Sequence, residues 1–519
     1  MELERRYVTL NRRRGKAVSQ ITLEEDLNVP DQKPDIFRVI HKQGEFRPDE
    51  VKGETGKVKV RGVFLYRILY LGEGGDRMPE TLEGSIPVDE VVFLNELEEG
   101  DLLDLRWDLL DLHASAIHSR KANMKCVLTL SVEAMKEQPV PLVSSDQEEG
   151  LYVRTCPVRL QQEVIHKKDT LRIREEMNLP PGRPNIRRLI WKEMRLQGTE
   201  VRQEEGRFLI KGELVVFFLY EGEDEPGRLQ WLEQGIPFHQ EVECEACHAD
   251  LSGKAEVTLL RGEMELQADY DGEPRMVRID AVLDLLFRYF EEQLTDVLCD
   301  AYSLTREILP QKRQYDWDYV QGALDSRARV SGRMQLADTE PKMLQTLNTG
   351  ALLHLEHVEK AEQGITAQGT VELWVLYASS DDAQPLACAV HSFPFEHTVE
   401  LPEGEGRRDW QIFLCLDQLM VTMLDGQELE MKAVLQMQVL FCEPEKLEVV
   451  EDLAEEPLNM DRIRGMSGMV IHIVQPGETL WDISKAHATT CRQVMELNEL
   501  KEEELKTGQK LLMVKEIAR

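Results

Sequence analysis

The chain has 519 residues, too many for one hydrophobic core and enough for about three to five units of ordinary domain size. Hydrophobic residues make up 42% and charged residues 30%, which excludes a disordered chain. With 62 basic against 96 acidic residues the formal charge is −34, so nucleic acid, whose backbone needs a basic stripe or groove, is excluded as a partner.

The one basic stretch is at the start, where Arg5, Arg6, Arg12, Arg13, Arg14 and Lys16 outnumber Glu2 and Glu4. Each basic residue near an anionic membrane gains roughly 1 kcal/mol, so this segment is either a weak docking patch or, the simpler reading, a solvated surface. No apolar run approaches the roughly 18 to 20 residues of a spanning helix; the longest are stretches such as FLYRILYL at 64–71. The basic start is not followed by the apolar segment of a secretory signal, and the chain is expected to stay in the cell that makes it. Nine scattered cysteines, an odd number without framework spacing, point to thiols in a reducing compartment. Cys244 and Cys247, followed by His248, form a CxxC without the second ligand pair that zinc needs, and no metal or cofactor is expected.

Self-similarity organises the first 445 residues. Pro34, Gly62, Tyr70 and Pro87 recur as Pro184, Gly212, Tyr220 and Pro237 at an offset of 150, and as Pro341, Gly369, Tyr377 and Pro394 after a further 157. The motifs VPDQKPDIFRVI (29–40) and LPPGRPNIRRLI (179–190) match at the first offset, whereas the third copy has lost most of this motif. The glycine-to-tyrosine runs GVFLYRILY, GELVVFFLY and GTVELWVLY are predicted to be largely buried strands. A second strand closes each unit; Met431, Ala433, Leu435, Met437, Val439 and Phe441 alternate with mostly polar neighbours. GEGGD (72–76), EGEDEPG (221–227) and the DG pairs at 271 and 425 read as hairpin turns. The periodicity of ITLEEDLNVP and LRIREEMNLP allows either short helices or strands. The recurring glycines are expected to open strands or permit bulges, the prolines to end strands, and the tyrosines to lie in or beside the core.

These repeats resemble the SPOCS domain of spore-coat morphogenetic proteins, on the proline-bearing motif followed by the glycine-to-tyrosine strand. The units are placed at 1–140, 141–297 and 298–445, followed by an acidic linker at 446–468 that would let the C-terminal segment move independently.

From Met469 the pattern is strand, two short helices, strand. Val470, Ile471, Ile473 and Val474 give the first strand and Gly477 turns the chain; Thr479 with Asp482 and Thr490 with Gln493 read as capping boxes. Asn498 is expected to end the second helix in the left-handed conformation, and Leu511 to Val514 return as a strand. Residues 469–519, with PGETLW and GQKL at suitable spacing, resemble a LysM domain. The resemblance implies a groove for GlcNAc-containing glycans lined by Pro476, Gly477, Glu478, Thr479, Leu480, Asn498, Thr507, Gly508 and Gln509. Glu478 stands where that family commonly has Asp, and Leu505, Lys506 and Thr507 replace its Ile-x-Pro, so a protein ligand in the same groove is a second reading. The fold class is therefore mainly β: three tandem β-rich repeat domains and a small βααβ LysM domain.

HExxH, P-loop, GxSxG and dinucleotide motifs are missing, and His354 and His357 in HLEH form an i, i+3 pair without a third ligand. No catalytic or metal residues are nominated. The resemblance implies a non-catalytic scaffold of the mother-cell cytoplasm at the forespore surface, binding stage IV sporulation protein A or another spore coat protein. The alternative is a peptidoglycan-binding protein of the cell wall or cortex.

Overall fold

The computed structural model describes residues 4–74, 77–144, 150–223, 228–361, 364–400 and 409–515. Residues 75–76 and 224–227 of the two charged turns lie outside them.

The first unit contains β1 (Glu4–Asn28), β2 (Ile36–Glu54), β3 (Lys57–Gly72), β4 (Pro79–Phe93), β5 (Leu102–His118) and β6 (Lys121–Ser144). The second repeats the order with β7 (Leu151–Asn178), β8 (Ile186–Glu204), β9 (Arg207–Gly222), β10 (Leu229–Glu243), β11 (Ser252–Gln267) and β12 (Met276–Ser303). The third has β13 (Arg306–Gln335), β14 (Met343–Ala361), β15 (Gly364–Ser379), β16 (Leu386–Glu400), β17 (Asp409–Met423) and β18 (Glu428–Pro457). Each unit is two three-stranded antiparallel sheets, ordered β2-β3-β4 and β1-β6-β5 in the first, packed face to face over one apolar core. ITLEEDLNVP and LRIREEMNLP are the ends of β1 and β7, apart from the last two residues of each.

The glycine-to-tyrosine run is the second half of the central strand. Its continuous apolar pattern has a physical cause: Tyr70 faces the core of its own unit while Leu69 and Leu71 face the neighbouring units. Gly62 pairs with Pro48 beside a bulge, and a Cβ there would stand 2.3 Å from the Arg47 carbonyl; the same crossing at Gly369 leaves 2.1 Å to the His354 carbonyl. Pro87, Pro237 and Pro394 do not end strands as expected. They sit inside the edge strands β4, β10 and β16, where a missing N–H leaves no ladder bond broken.

The three units close into a ring with approximate threefold symmetry. Asn11 donates to Glu163 at 2.7 Å, Gln161 exchanges hydrogen bonds with the Val320 backbone at 2.8 and 2.7 Å, and the Arg13 N–H donates to Asp318. Positions 11, 161 and 318 are equivalent under the offsets, as are 13, 163 and 320, so each unit gives one surface to the next and the third gives it to the first. Leu69, Leu219 and Leu376 meet on the axis, as do Leu10, Leu160 and Trp317 farther along it. Between these apolar layers the equivalent residues differ: Arg106 pairs with Glu256 at 3.1 Å and stacks over Phe413 at 3.8 Å.

Closure reassigns several sequence readings. Part of the basic N-terminal stretch is engaged in ion pairs at the solvated surface: Arg5 pairs with Asp452, Arg12 with Asp316, Arg13 with Asp409 and Arg14 with Glu98, three of these four contacts stitching the first unit to the third, while Arg5, Arg6, Arg12 and Lys16 stay exposed. Boundaries after 140, 297 and 445 fall inside strands. Residues 446–457, expected as linker, are the end of β18, with Leu447, Val449, Val450 and Leu453 buried against the other units. Their alternation breaks phase at Val450, next to a bulge opposite Gln311 and Lys312, which hides the strand from a period-two reading. Only 458–468 remains as connection, and it carries α1 (Met460–Gly465). Cys156 and Cys299 are joined across β7 and β12, so the expectation of scattered thiols fails for this pair. Their separation of 143 residues carries no pairing information until the two strands are aligned.

Candidate functional site: the LysM module and its seat

The module comprises β19 (Met469–Ile473), α2 (Leu480–Ala486), α3 (Cys491–Leu497) and β20 (Lys510–Val514) over its own small core of Val474, Leu480, Ile483, Val494, Leu511 and Met513. Thr479 caps α2 in a reciprocal box with Asp482, as expected. The second box is only half formed: Thr490 accepts from the Gln493 N–H, but the Gln493 side chain takes the Thr489 hydroxyl at 2.6 Å instead. Asn498 has φ −106°, not the left-handed value expected; Glu499, with φ 55°, makes that turn.

The nominated groove residues divide by position. Pro476, Gly477 and Thr479 are exposed in the turn after β19, and Thr507 and Gly508 in the turn before β20, both glycines having positive φ (85° and 83°). The two turns are adjacent: Gly508 N–H donates to the Val474 carbonyl at 2.8 Å and Val474 N–H to the Gln509 carbonyl at 3.0 Å. Leu480 is core. Asn498 ties α3 to β20, donating to the carbonyls of Val494 and Leu512 at 2.9 Å and accepting from Leu512 N–H at 2.6 Å. The Glu478 carboxylate turns inward to the Gln475 N–H and His472, each at 2.8 Å; the backbone bond first and His472 second hold it below the usual carboxylate range. Beside the turns, Met469 and Ile471 are 65% exposed and Ile473 49%, an apolar stripe on the outer face of β19.

Sequence reasoning passed over Trp481 and Lys485, which seat the module on the second unit. Trp481 Nε1 donates to Asp300 at 2.8 Å, Lys485 Nζ to both Asp300 oxygens at 2.7 and 2.9 Å, and the Tyr302 hydroxyl to the Thr489 carbonyl at 3.0 Å. The module therefore rests on the ring rather than moving independently of it. Trp481 lies within the PGETLW motif, but its partner, 181 residues away, has no local signal.

Other candidates resolve into structure. Cys244 and Cys247 occupy the positions of Leu94 and Leu97 in the first unit, with the same turn bonds to Gly206 and Gly56 respectively. Cys247 is buried, and burial raises its thiol pKa. Among the described residues no group of three potential ligands could hold a metal. His354 pairs with Asp108 at 3.7 Å, the carboxylate raising its pKa, and His357 lies apart beside Glu359. Arg120 and Arg275, unremarked in the sequence, clamp the proline motifs: Arg120 donates to the carbonyls of Lys33 and Val29 at 2.8 and 2.9 Å, and Arg275 to those of Arg183 and Pro180 at 2.9 and 3.2 Å. Tyr70 and Tyr377 reach the carbonyls of Pro34 and Pro341 at 3.0 and 3.1 Å. A cavity of about 1470 Å³ inside the ring is lined by all three units, Gln43, Glu193 and His354 among its residues. Burial raises the Glu193 pKa, and its carboxylate accepts from Asn348 at 2.8 Å.

Comparison with known families agrees with this geometry. The SipL, SPOCS domain family matches residues 35–117, 185–266 and 342–424, one segment in each unit, and the LysM domain family matches 472–513. No curated protein and no solved structure matches the chain. Among the described residues no helix is long and apolar enough to cross a membrane. The SPOCS matches associate the chain with spore coat assembly, and the LysM match gives it a module of glycan-binding type. Three copies of the one domain and one of the other make this chain a SipL-like spore-coat morphogenetic protein.

Proposed function

We propose that the chain is a non-catalytic scaffold of the spore coat that binds a coat morphogenetic protein through its LysM module and repeats. The partner is stage IV sporulation protein A or another coat protein, met in the mother-cell cytoplasm at the forespore surface. The observation that carries this reading is the exposed stripe of Met469, Ile471 and Ile473 beside the two glycine turns. A contiguous apolar face suits a protein surface better than a sugar held by backbone amides. The second reading, peptidoglycan or GlcNAc-glycan binding, is favoured by the exposed turns of Gly477 and Gly508.

Titration of the full chain with the coat protein and, separately, with GlcNAc oligomers tests it. Tighter protein binding, weakened at least about tenfold by Ile471→Glu, is expected. Strong glycan binding with no affinity for the coat protein would reject the scaffold reading.

A further inference from the structure

The seat of the LysM module is built more specifically than a chance contact between neighbours. Asp300 follows the bulge between Leu298 and Asp300 on β12, and its carboxylate, 15% exposed, takes three hydrogen bonds from Trp481 and Lys485 and a fourth from the Ala301 N–H at 2.9 Å. Tyr302, two residues on, stacks on Tyr152 at 5.1 Å and meets the Trp481 ring edge-on at 4.8 Å. Arg154, paired with Asp300 across the ladder, reaches Asp482 of α2 at 3.6 Å. The third unit supplies a comparison. Asp452 holds the equivalent position on β18, also at a bulge and also accepting from the next N–H, but its side chain is 51% exposed and, among the described residues, pairs with Arg5 at 3.3 Å rather than with the module. The second unit, unlike the third, carries aromatic side chains at this place, and the module covers them.

We propose that this contact is a releasable latch: Asp300, Tyr152 and Tyr302 form a receptor for the α2 face of the module, holding it in one orientation with its glycine turns and apolar stripe facing solvent. The bonds that close it are charge-assisted and few, and the connection at 458–468 is long enough to keep a released module nearby at high effective concentration. A partner that offers α2 a carboxylate beside an aromatic ring competes directly with the seat. The latch does not depend on whether the exposed face takes protein or glycan.

Limited trypsinolysis of the full chain, followed by gel filtration, tests the latch, because Arg464 in the connection is exposed. After cleavage within 458–468 the wild-type module is expected to co-elute with the ring. Asp300→Ala and Lys485→Glu are each expected to speed cleavage there about tenfold or more and to let the module elute separately. Asp300→Lys combined with Lys485→Asp is expected to restore co-elution. A wild-type module that separates once cut, or variants cleaved at the wild-type rate, would overturn the proposal. If Asp300→Ala abolishes the ring's thermal transition, Lys485→Glu, a change on the module alone, decides between the two results.

Discussion

The ring and the module use their sheets in opposite ways. In the ring, β3 and β9 are buried on both faces near their ends, Tyr70 and Tyr220 in their own sandwiches, Leu69 and Leu219 against the other units. In the module, the sheet of β19 and β20 has one face on a small core and leaves Met469, Ile471 and Ile473 in solvent. A face used for closure is lost to binding, so the ring supplies rigidity and the module supplies free apolar surface.

The largest expected break in this contrast comes from the strand crossings. Gly369→Val places a Cβ about where the His354 carbonyl stands, 2.1 Å away, with Phe395 at 2.9 Å. A loss above about 3 kcal/mol, read as a ring that no longer unfolds cooperatively in denaturant, is expected. Gly508→Ala in the module has no atom within 4 Å and only a positive φ to strain, about 1 kcal/mol. Equal effects at the two glycines would show that the ring tolerates separation of its strands.

Leu219→Ala is next, at about 2 to 5 kcal/mol, because Leu219 is 0% exposed among Leu69, Leu376 and Trp191. Its position on the axis sharpens the comparison: hydrogen exchange is expected to rise in all three units together, and a rise confined to the second would mean that the units fold separately.

Legibility differed between these regions for a physical reason. Local signals suffice for the module, where Thr479, Asp482, Gly477 and Gly508 act within a few residues of themselves. In the ring the unit was legible as a recurrence, since each copy must build the same sandwich, but closure rests on pairs such as Asn11 with Glu163 and Arg13 with Asp409, 152 and 396 residues apart. Nothing in either sequence neighbourhood marks them. Arg120 and Arg275 were hidden more simply: the β11–β12 turn is longer than its counterpart in the first unit, which moves the second arginine off the offset that matched the other anchors.

Acid should separate the two regions by a smaller amount. His41 on the ring axis sits between Trp191 and Trp374, with Cys388 3.5 Å from its ring nitrogen, and burial first, then Lys42 and Arg67, lower its pKa from 6.5 to about 3. The unfolded chain thus binds a proton that the ring does not, so this contribution is complete above pH 6.5 and is lost as pH falls toward 3. The slope from this residue is at most about 1.4 kcal/mol per pH unit. Unfolding titrations between neutral and acid pH should show His41→Phe losing less stability than wild type; parallel curves would mean that His41 is protonated in the folded ring.

The smallest effect belongs to the module and tests its independence. Thr479→Ala removes the hydroxyl that accepts the Asp482 N–H and donates to the Asp482 carboxylate at 2.6 Å, and leaves the backbone arm of the box, the N–H of residue 479 to that carboxylate. A cost of about 1 kcal/mol is expected. If the latch is a true coupling, that loss does not stay in the module: a frayed α2 presents Trp481 and Lys485 less often to Asp300, so protection at Tyr302 and Thr489 should fall with it. Hydrogen exchange that changes in α2 but not at the end of β12 would mean that the two surfaces touch without sharing stability.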